Sequence, residues 1–289
     1  MGQEKKFFSG TLTLNYYEGE PNGPNLMFLP ALSGGICNFK RLLPYFEAKF
    51  HVFVLEFRGH GKSDRSDDYR LSGFIDDARQ FINKIVKEPM TIYGHSLGGR
   101  VTMALLLEFP DLIQCPIIGD QLYENLSFEE LRNEEGYQAY YELLHQLREL
   151  YAANMDIVEK REQLIRIRGE DSRQRYSEMN ENDFCDPKLV TILVEKHGVD
   201  GINQGYRRKE VEAYLSQYQK PILFIYAKST LDGFMKNYGI DWEKDLREMT
   251  DNRENVAIEV VEFSHWLQVD NPEAVAMVIK EFLQANLEV

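Results

Sequence analysis

The segment that most restricts the fold is a corner, Gly94-His95-Ser96-Leu97-Gly98-Gly99, set between a short apolar run at 90–93 and an apolar, helix-length stretch at 101–109 that Pro110 terminates. An apolar run that stops in a glycine-bounded turn and resumes as a helix is a buried strand feeding a tight strand-to-helix corner. The pattern Gly-x-Ser-x-Gly alone is weak, since chance supplies it in roughly one chain in ten of this length. The context is what makes it specific. Glycines flank the corner where any Cβ would clash, and a serine held there takes a strained backbone that lifts Oγ out of the sheet. Ser96 is the expected nucleophile.

The same alternation of strand and helix runs through most of the chain. Residues 7–17 alternate like an edge strand, 21–24 turn, 26–29 form a short apolar run ending at Pro30, and 39–46 look helical. A second buried strand at 51–57 leads into Arg58-Gly59-His60-Gly61-Lys62-Ser63, and a helix is expected near 74–86. Strands separated by amphipathic helices imply crossovers, hence an α/β fold with a mostly parallel central sheet flanked by helices. From 121 to 219 the pattern changes to Glu, Arg, Tyr and Leu without a strand signal. There Tyr137, Tyr140, Tyr141, Leu144, Leu147 and Tyr151 recur at helical spacing. Strands return at 221–226 and 256–263, and a helix at 272–287 closes the chain with Val275, Val278, Ile279 and Phe282 on its buried face. The expected division is a core of 1–120 and 220–289 interrupted by a helical insertion, 121–219. No internal repeat or low-complexity tract is present.

Composition narrows the partners. No run reaches the roughly 18 apolar residues of a membrane span, and the chain enters strand-like sequence with no secretion signal. The Met1-Gly2 start has Lys6 where a myristoylation signal needs Ser or Thr. Cys37, Cys115 and Cys185 are odd in number and scattered, which suits a reducing cytoplasm and argues against a disulfide framework or metal site. A net charge of −14 disfavours nucleic acid and anionic membranes. A small-molecule substrate, a monomer or homodimer, and no metal or organic cofactor are expected.

A serine hydroxyl attacks only when a base within hydrogen-bond reach takes its proton and can return it near pH 7. His265, in Phe263-Ser264-His265-Trp266-Leu267 between the last strand and the final helix, is the expected base. His51, His60, His95, His145 and His197 read as packing or surface histidines.

With these segments in place, the chain resembles the α/β-hydrolase family over essentially its whole length. Leu29-Pro30-Ala31-Leu32-Ser33-Gly34 is similar to the family's oxyanion loop and Glu56-Phe57-Arg58-Gly59-His60-Gly61-Lys62-Ser63 to the turn after the next strand. The Ser96 and His265 segments complete the order. The resemblance implies that the backbone N–H groups of Leu32 and Leu97 hold an oxyanion, although Ala31 stands where the family more often has Gly. It implies a structural role for 58–63, and a cap for the insertion, above the carboxyl ends of the strands where such sheets bind ligands.

The acid that orients the histidine has two candidates. The commoner family position is after the later strand, where this chain reads Ala227-Lys228-Ser229-Thr230, with Thr230 in the acid's place and Asp232 two residues late. Asp120 ends the earlier strand, Cys115-Pro116-Ile117-Ile118-Gly119-Asp120, and is favoured because it needs no insertion. Certain dehalogenases and cofactor-free dioxygenases of the family use that earlier position. The first reading is therefore a hydrolase of an ester, thioester or lactone acting through Ser96, His265 and Asp120. The alternatives are a cofactor-independent lyase or dioxygenase, and a slow-turnover ligand receptor. Arg166, Arg168, Arg173, Arg175, Arg207 and Arg208 are expected to be a self-compensating surface among neighbouring acids.

Overall fold

A computed structural model describes residues 2–121, 135–194, 208–238 and 253–287, with 241, 244, 245, 247 and 248 between the last two stretches. Eight strands form one sheet in the order β1-β2-β4-β3-β5-β6-β7-β8. They are β1 Gln3–Phe8, β2 Thr13–Glu18, β3 Asn25–Leu29, β4 His51–Leu55, β5 Met90–His95, β6 Ile113–Gly119, β7 Ile222–Ala227 and β8 Val256–Val261. The first two pair antiparallel and β2 joins β4 antiparallel. From β4 to β8 every pairing is parallel. The single edge strand expected over 7–17 is thus a pair of strands folded back at Gly10, whose φ of +120° suits glycine. The helix expected at 39–46 is two short 3₁₀ turns, Ile36–Phe39 and Leu43–Tyr45, because Pro44 interrupts α-helical hydrogen bonding.

The period of two in strand side chains splits the core between the two faces of the sheet. Met27, Leu29, Ile92, Ile118 and Phe224 pack on one face with Phe74, Phe81, Val101 and Leu105 from the helices Leu71–Phe81 and Leu97–Glu108. Leu26, Phe28, Tyr93, Ile117 and Ile225 pack on the other with Val275, Ile279 and Leu283 of the final helix, Pro272–Asn286. Both faces are covered, which is why the middle strands are apolar without alternation.

Between β6 and β7 the described chain is helical, including Glu135–Ala152, Ile157–Arg168, Pro187–Val194 and Arg208–Leu215. Asp156 starts the second of these by accepting the Val158 and Glu159 N–H groups at 2.9 and 3.0 Å. Leu144, Leu147 and Tyr151 are buried, as the helical spacing requires; the side chains of Tyr137, Tyr140 and Tyr141 lie outside the described residues. No described helix is long and apolar enough to cross a membrane. Cys37, Cys115 and Cys185 are all free thiols.

Candidate active site

β5 and β6 run side by side with His95 opposite Gly119, so the residues after them, Ser96 and Asp120, leave adjacent strand ends. Ser96 sits at φ 51°, ψ −112°, and its N–H donates to the Gly119 carbonyl at 2.7 Å. A Cβ at Gly94 would strike the Gly98 carbonyl and Thr102 Oγ1, and one at Gly98 would strike the Leu29 carbonyl. The glycines therefore allow the helix after Ser96 to close over its own strand and against the loop that follows β3. Gly98 N–H donates to the Pro30 carbonyl at 3.0 Å, locking the Ser96 corner to that loop.

Asp120 is also left-handed, at φ 45°, with its N–H on the Ile225 carbonyl at 2.7 Å. Its fully buried carboxylate accepts three hydrogen bonds. Oδ1 takes the Ala227 N–H at 2.8 Å, and Oδ2 takes the Thr230 hydroxyl at 2.7 Å and His265 Nδ1–H at 2.6 Å. With Nδ1 donating, Nε2 of the neutral ring is left as an acceptor. Asp232 stands apart: it is exposed and paired with Lys228 at 2.6 Å. The reason is local. β7 ends at Ala227 and the helix Lys228–Tyr238 begins at once, so no loop remains to carry Asp232 toward His265. Thr230, standing in the place of a later acid, instead binds the earlier one.

His265 is held from below by a buried polar chain that the sequence offered no reason to expect. Tyr93 donates to Gln268 Oε1 at 3.2 Å, the Gln268 amide donates to His95 Nδ1 at 3.1 Å, and His95 Nε2–H donates to the His265 carbonyl at 2.6 Å. Tyr93, Gln268 and His95 are all fully buried. Burial, reinforced by the nearby His265 and Arg175, pushes the His95 pKa well below the ordinary range, so the ring stays neutral with the tautomer this chain requires.

His60 does the same for the loop after β3. Its Nδ1–H donates to the Arg58 carbonyl at 2.9 Å, and its Nε2 accepts the Ser33 N–H at 3.0 Å. Ser33 is left-handed at φ 59°, so the bond pins a strained residue beside Leu32. Among the described residues, neither the Leu32 N–H nor the Leu97 N–H has a hydrogen-bond partner; Leu97 opens its helix, where no intrahelical acceptor exists. Arg58 is tied up structurally, with Nε and Nη2 on the buried Asp77 at 2.6 and 2.9 Å.

Burial holds the His60 pKa down at about 4. Between that value and the unfolded value of about 6.5, the unfolded chain binds a proton that the folded chain refuses, so stability falls as pH drops through this window. The loss approaches about 3 kcal/mol at pH 4. Urea unfolding of wild type and His60→Gln at pH 4.5 and 7 checks this. The gap in stability should narrow on acidification, and a gap independent of pH would refute the assignment.

Four described non-glycine residues have positive φ, and three of them, Ser33, Ser96 and Asp120, gather at this one end of the sheet. Such strain collects where a site over-determines its backbone. Residues 24–148 match the family described as the alpha/beta hydrolase fold. The architecture is that of the α/β-hydrolase fold. It is similar to 2-(acetamidomethylene)succinate hydrolase of Mesorhizobium japonicum, 28% identical over 112 residues, which span 38% of this chain and 40% of that one. Serine hydrolase-like protein 2 of Homo sapiens is 24% identical over 93% of this chain and 89% of its own length. Among solved structures, E-2-(acetamidomethylene)succinate hydrolase superposes with a TM-score of 0.68 at 18% identity, covering 98% of this chain and all of that one.

Proposed function

We propose that the protein is a serine hydrolase that cleaves a carboxylic ester, thioester or lactone of a small molecule through an acyl-enzyme on Ser96. The observation that carries this reading is the 2.6 Å contact of His265 Nδ1 with a buried, threefold hydrogen-bonded Asp120, one strand from the strained Ser96 corner. Hydrolase names among the relatives support the same class.

In this mechanism His265 Nε2 takes the Ser96 proton as Oγ attacks the carbonyl carbon, and Asp120 stabilises the imidazolium. The oxyanion of the tetrahedral intermediate takes the Leu32 and Leu97 N–H groups. Collapse expels the alcohol or thiol, which leaves with the proton from His265. Water then repeats the sequence, releasing the acid and restoring Ser96. The helical insertion, assigned to 121–219, acts as the cap over the site and sets acyl or alcohol specificity through its apolar and tyrosine face. A fluorophosphonate should label wild type at Ser96 and leave Ser96→Ala unmodified, read by mass spectrometry. A Ser96→Ala protein that still labelled would sink the assignment, and oxygen uptake with a heteroaromatic substrate in place of esterolysis would replace it.

A further inference from the structure

One of the insertion's arginines departs from the self-compensating surface expected of them. Arg166 is exposed, Arg168 is half-buried, and Arg173 is bound by Glu162 at 2.7 Å and by Glu170. Arg207, and the side chain of Arg208, lie outside the described residues. Arg175 is 10% exposed, and its partners belong to the segment that carries His265 rather than to the insertion. Its Nη2 donates to Asp270 Oδ1 at 3.0 Å and to Ser264 Oγ at 3.2 Å. The same guanidinium lies 5.5 Å from the centre of the Trp266 ring and 5.8 Å from that of Tyr176, inside the roughly 6 Å over which a cation is drawn to an aromatic ring.

Ser264 and Trp266 are the two chain neighbours of His265, so Arg175 grips the backbone on both sides of the base. The Ser264 hydroxyl also donates to Asp270 Oδ2 and accepts the Trp266 N–H at 3.2 Å, which gathers 264, 266 and 270 around one guanidinium. Trp266 is buried with Ala31 of the loop after β3, and its ring centre is 6.1 Å from that of His265. The core holds the segment from below, through the Ser229 hydroxyl on the Phe263 carbonyl at 2.9 Å, Arg41 Nη1 on the Val269 carbonyl at 2.9 Å and His95 on the His265 carbonyl. The His265 side chain is itself 40% exposed and so has little packing to fix it. Asp120 holds Nδ1, but a ring tied at one nitrogen can still swing, and where Nε2 points then depends on how firmly residues 264–266 are held. Attachment of the insertion does not depend on Arg175. Elsewhere Asp186 N–H donates to the Gly59 carbonyl at 2.7 Å, the Tyr69 hydroxyl to Asp186 Oδ2 at 2.6 Å and Arg65 Nη2 to the Phe184 carbonyl at 3.1 Å.

We propose that Arg175 is a positioning residue for His265, through which the insertion holds the base in register with Ser96. The assignment rests on the serine-hydrolase reading for the role of His265. Its planar fork serves two acceptors at once while its face covers an aromatic ring, a combination lysine cannot reproduce. A misplacement of about 1 Å at a catalytic group can cost about 100-fold in rate. The second-order rate of Ser96 labelling by a small fluorophosphonate, followed by mass spectrometry, reads the base with little demand on the substrate pocket. Arg175→Gln should lower it by about tenfold or more. Arg175→Lys, which keeps the charge beside Asp270, should fall between the two, and Arg173→Gln, on a surface pair, should stay within about twofold. Asp270→Asn, which loosens the same contact from the core side and serves if Arg175→Gln does not fold, should also slow labelling, and the two losses should not multiply when combined. With any ester the wild type turns over, the loss should fall on kcat rather than KM, in protein shown by urea unfolding to be folded at the assay conditions. Labelling of wild type and Arg175→Gln at one rate, losses that multiply, or a change in KM alone would overturn the proposal. A wild type that takes no label sinks the serine-hydrolase reading and this one with it, whereas equal labelling of both proteins sinks only this one.

Discussion

Ser96→Ala is expected to lower kcat by about 10⁴–10⁶-fold against any ester the wild type turns over, with far less change in KM. The size follows from the division of labour at the corner. In the proposed mechanism no acyl-enzyme forms without Oγ, and His265 and Asp120 lose the group on which they would act, so their removal on top of Ser96→Ala should cost little more. What survives is the rate supplied by substrate binding and by the Leu32 and Leu97 N–H groups, which are main-chain donors and persist in the variant. Fold stability should change little, because the strain at φ 51° is held by the Ser96 N–H bond to Gly119 and the Arg100 N–H bond back to Ser96, neither involving the hydroxyl. Burst and steady-state kinetics on an activated ester, with urea unfolding alongside, separate the two. A loss below tenfold would mean that another nucleophile does the work.

Asp120→Asn should cost about 10⁴ in kcat, the second-largest effect, since an amide in place of the carboxylate turns the histidine toward the wrong tautomer and leaves the imidazolium unsupported. Asp232→Asn, removing a residue exposed and paired only with Lys228, should stay within about twofold. The Thr230 hydroxyl lies 2.7 Å from the same oxygen that receives His265, so a carboxylate introduced there stands close to the ring. Adding Thr230→Asp to Asp120→Asn should therefore recover part of the lost rate. If Asp232→Asn were the damaging change, or if Asp120→Asn retained most of its activity, the acid would have been misassigned.

Much of this protein was legible as sequence because the signals were local. The turn at Gly94 to Gly99 declares a strand-to-helix corner by the places where a Cβ does not fit, and apolar runs of strand length separated by amphipathic helices lead to a parallel sheet. His265 was singled out by position, after the last strand and before the last helix. The acid was not decided that way. Asp120 and Asp232 both follow strands, and the difference between them depends on β7 running directly into a helix and on adjacent strand ends bringing Asp120 and Ser96 together.

Long-range polar contacts were the other silent layer. Histidines at 60 and 95 read as bland packing residues, since nothing within a few positions of either names its partner. In the fold one holds Ser33, 27 residues away, and the other holds the His265 carbonyl, 170 residues away. Arg175 reads like its charged neighbours for the same reason: nothing near it in sequence names its ion-pair partner, Asp270, 95 residues away. The residue types and spacing of this chain were enough to specify the corner, the sheet class and the candidate nucleophile and base. The tertiary structure alone decided the acid at the histidine and the braces beneath it, because each depends on which distant backbone segments are packed together out of water.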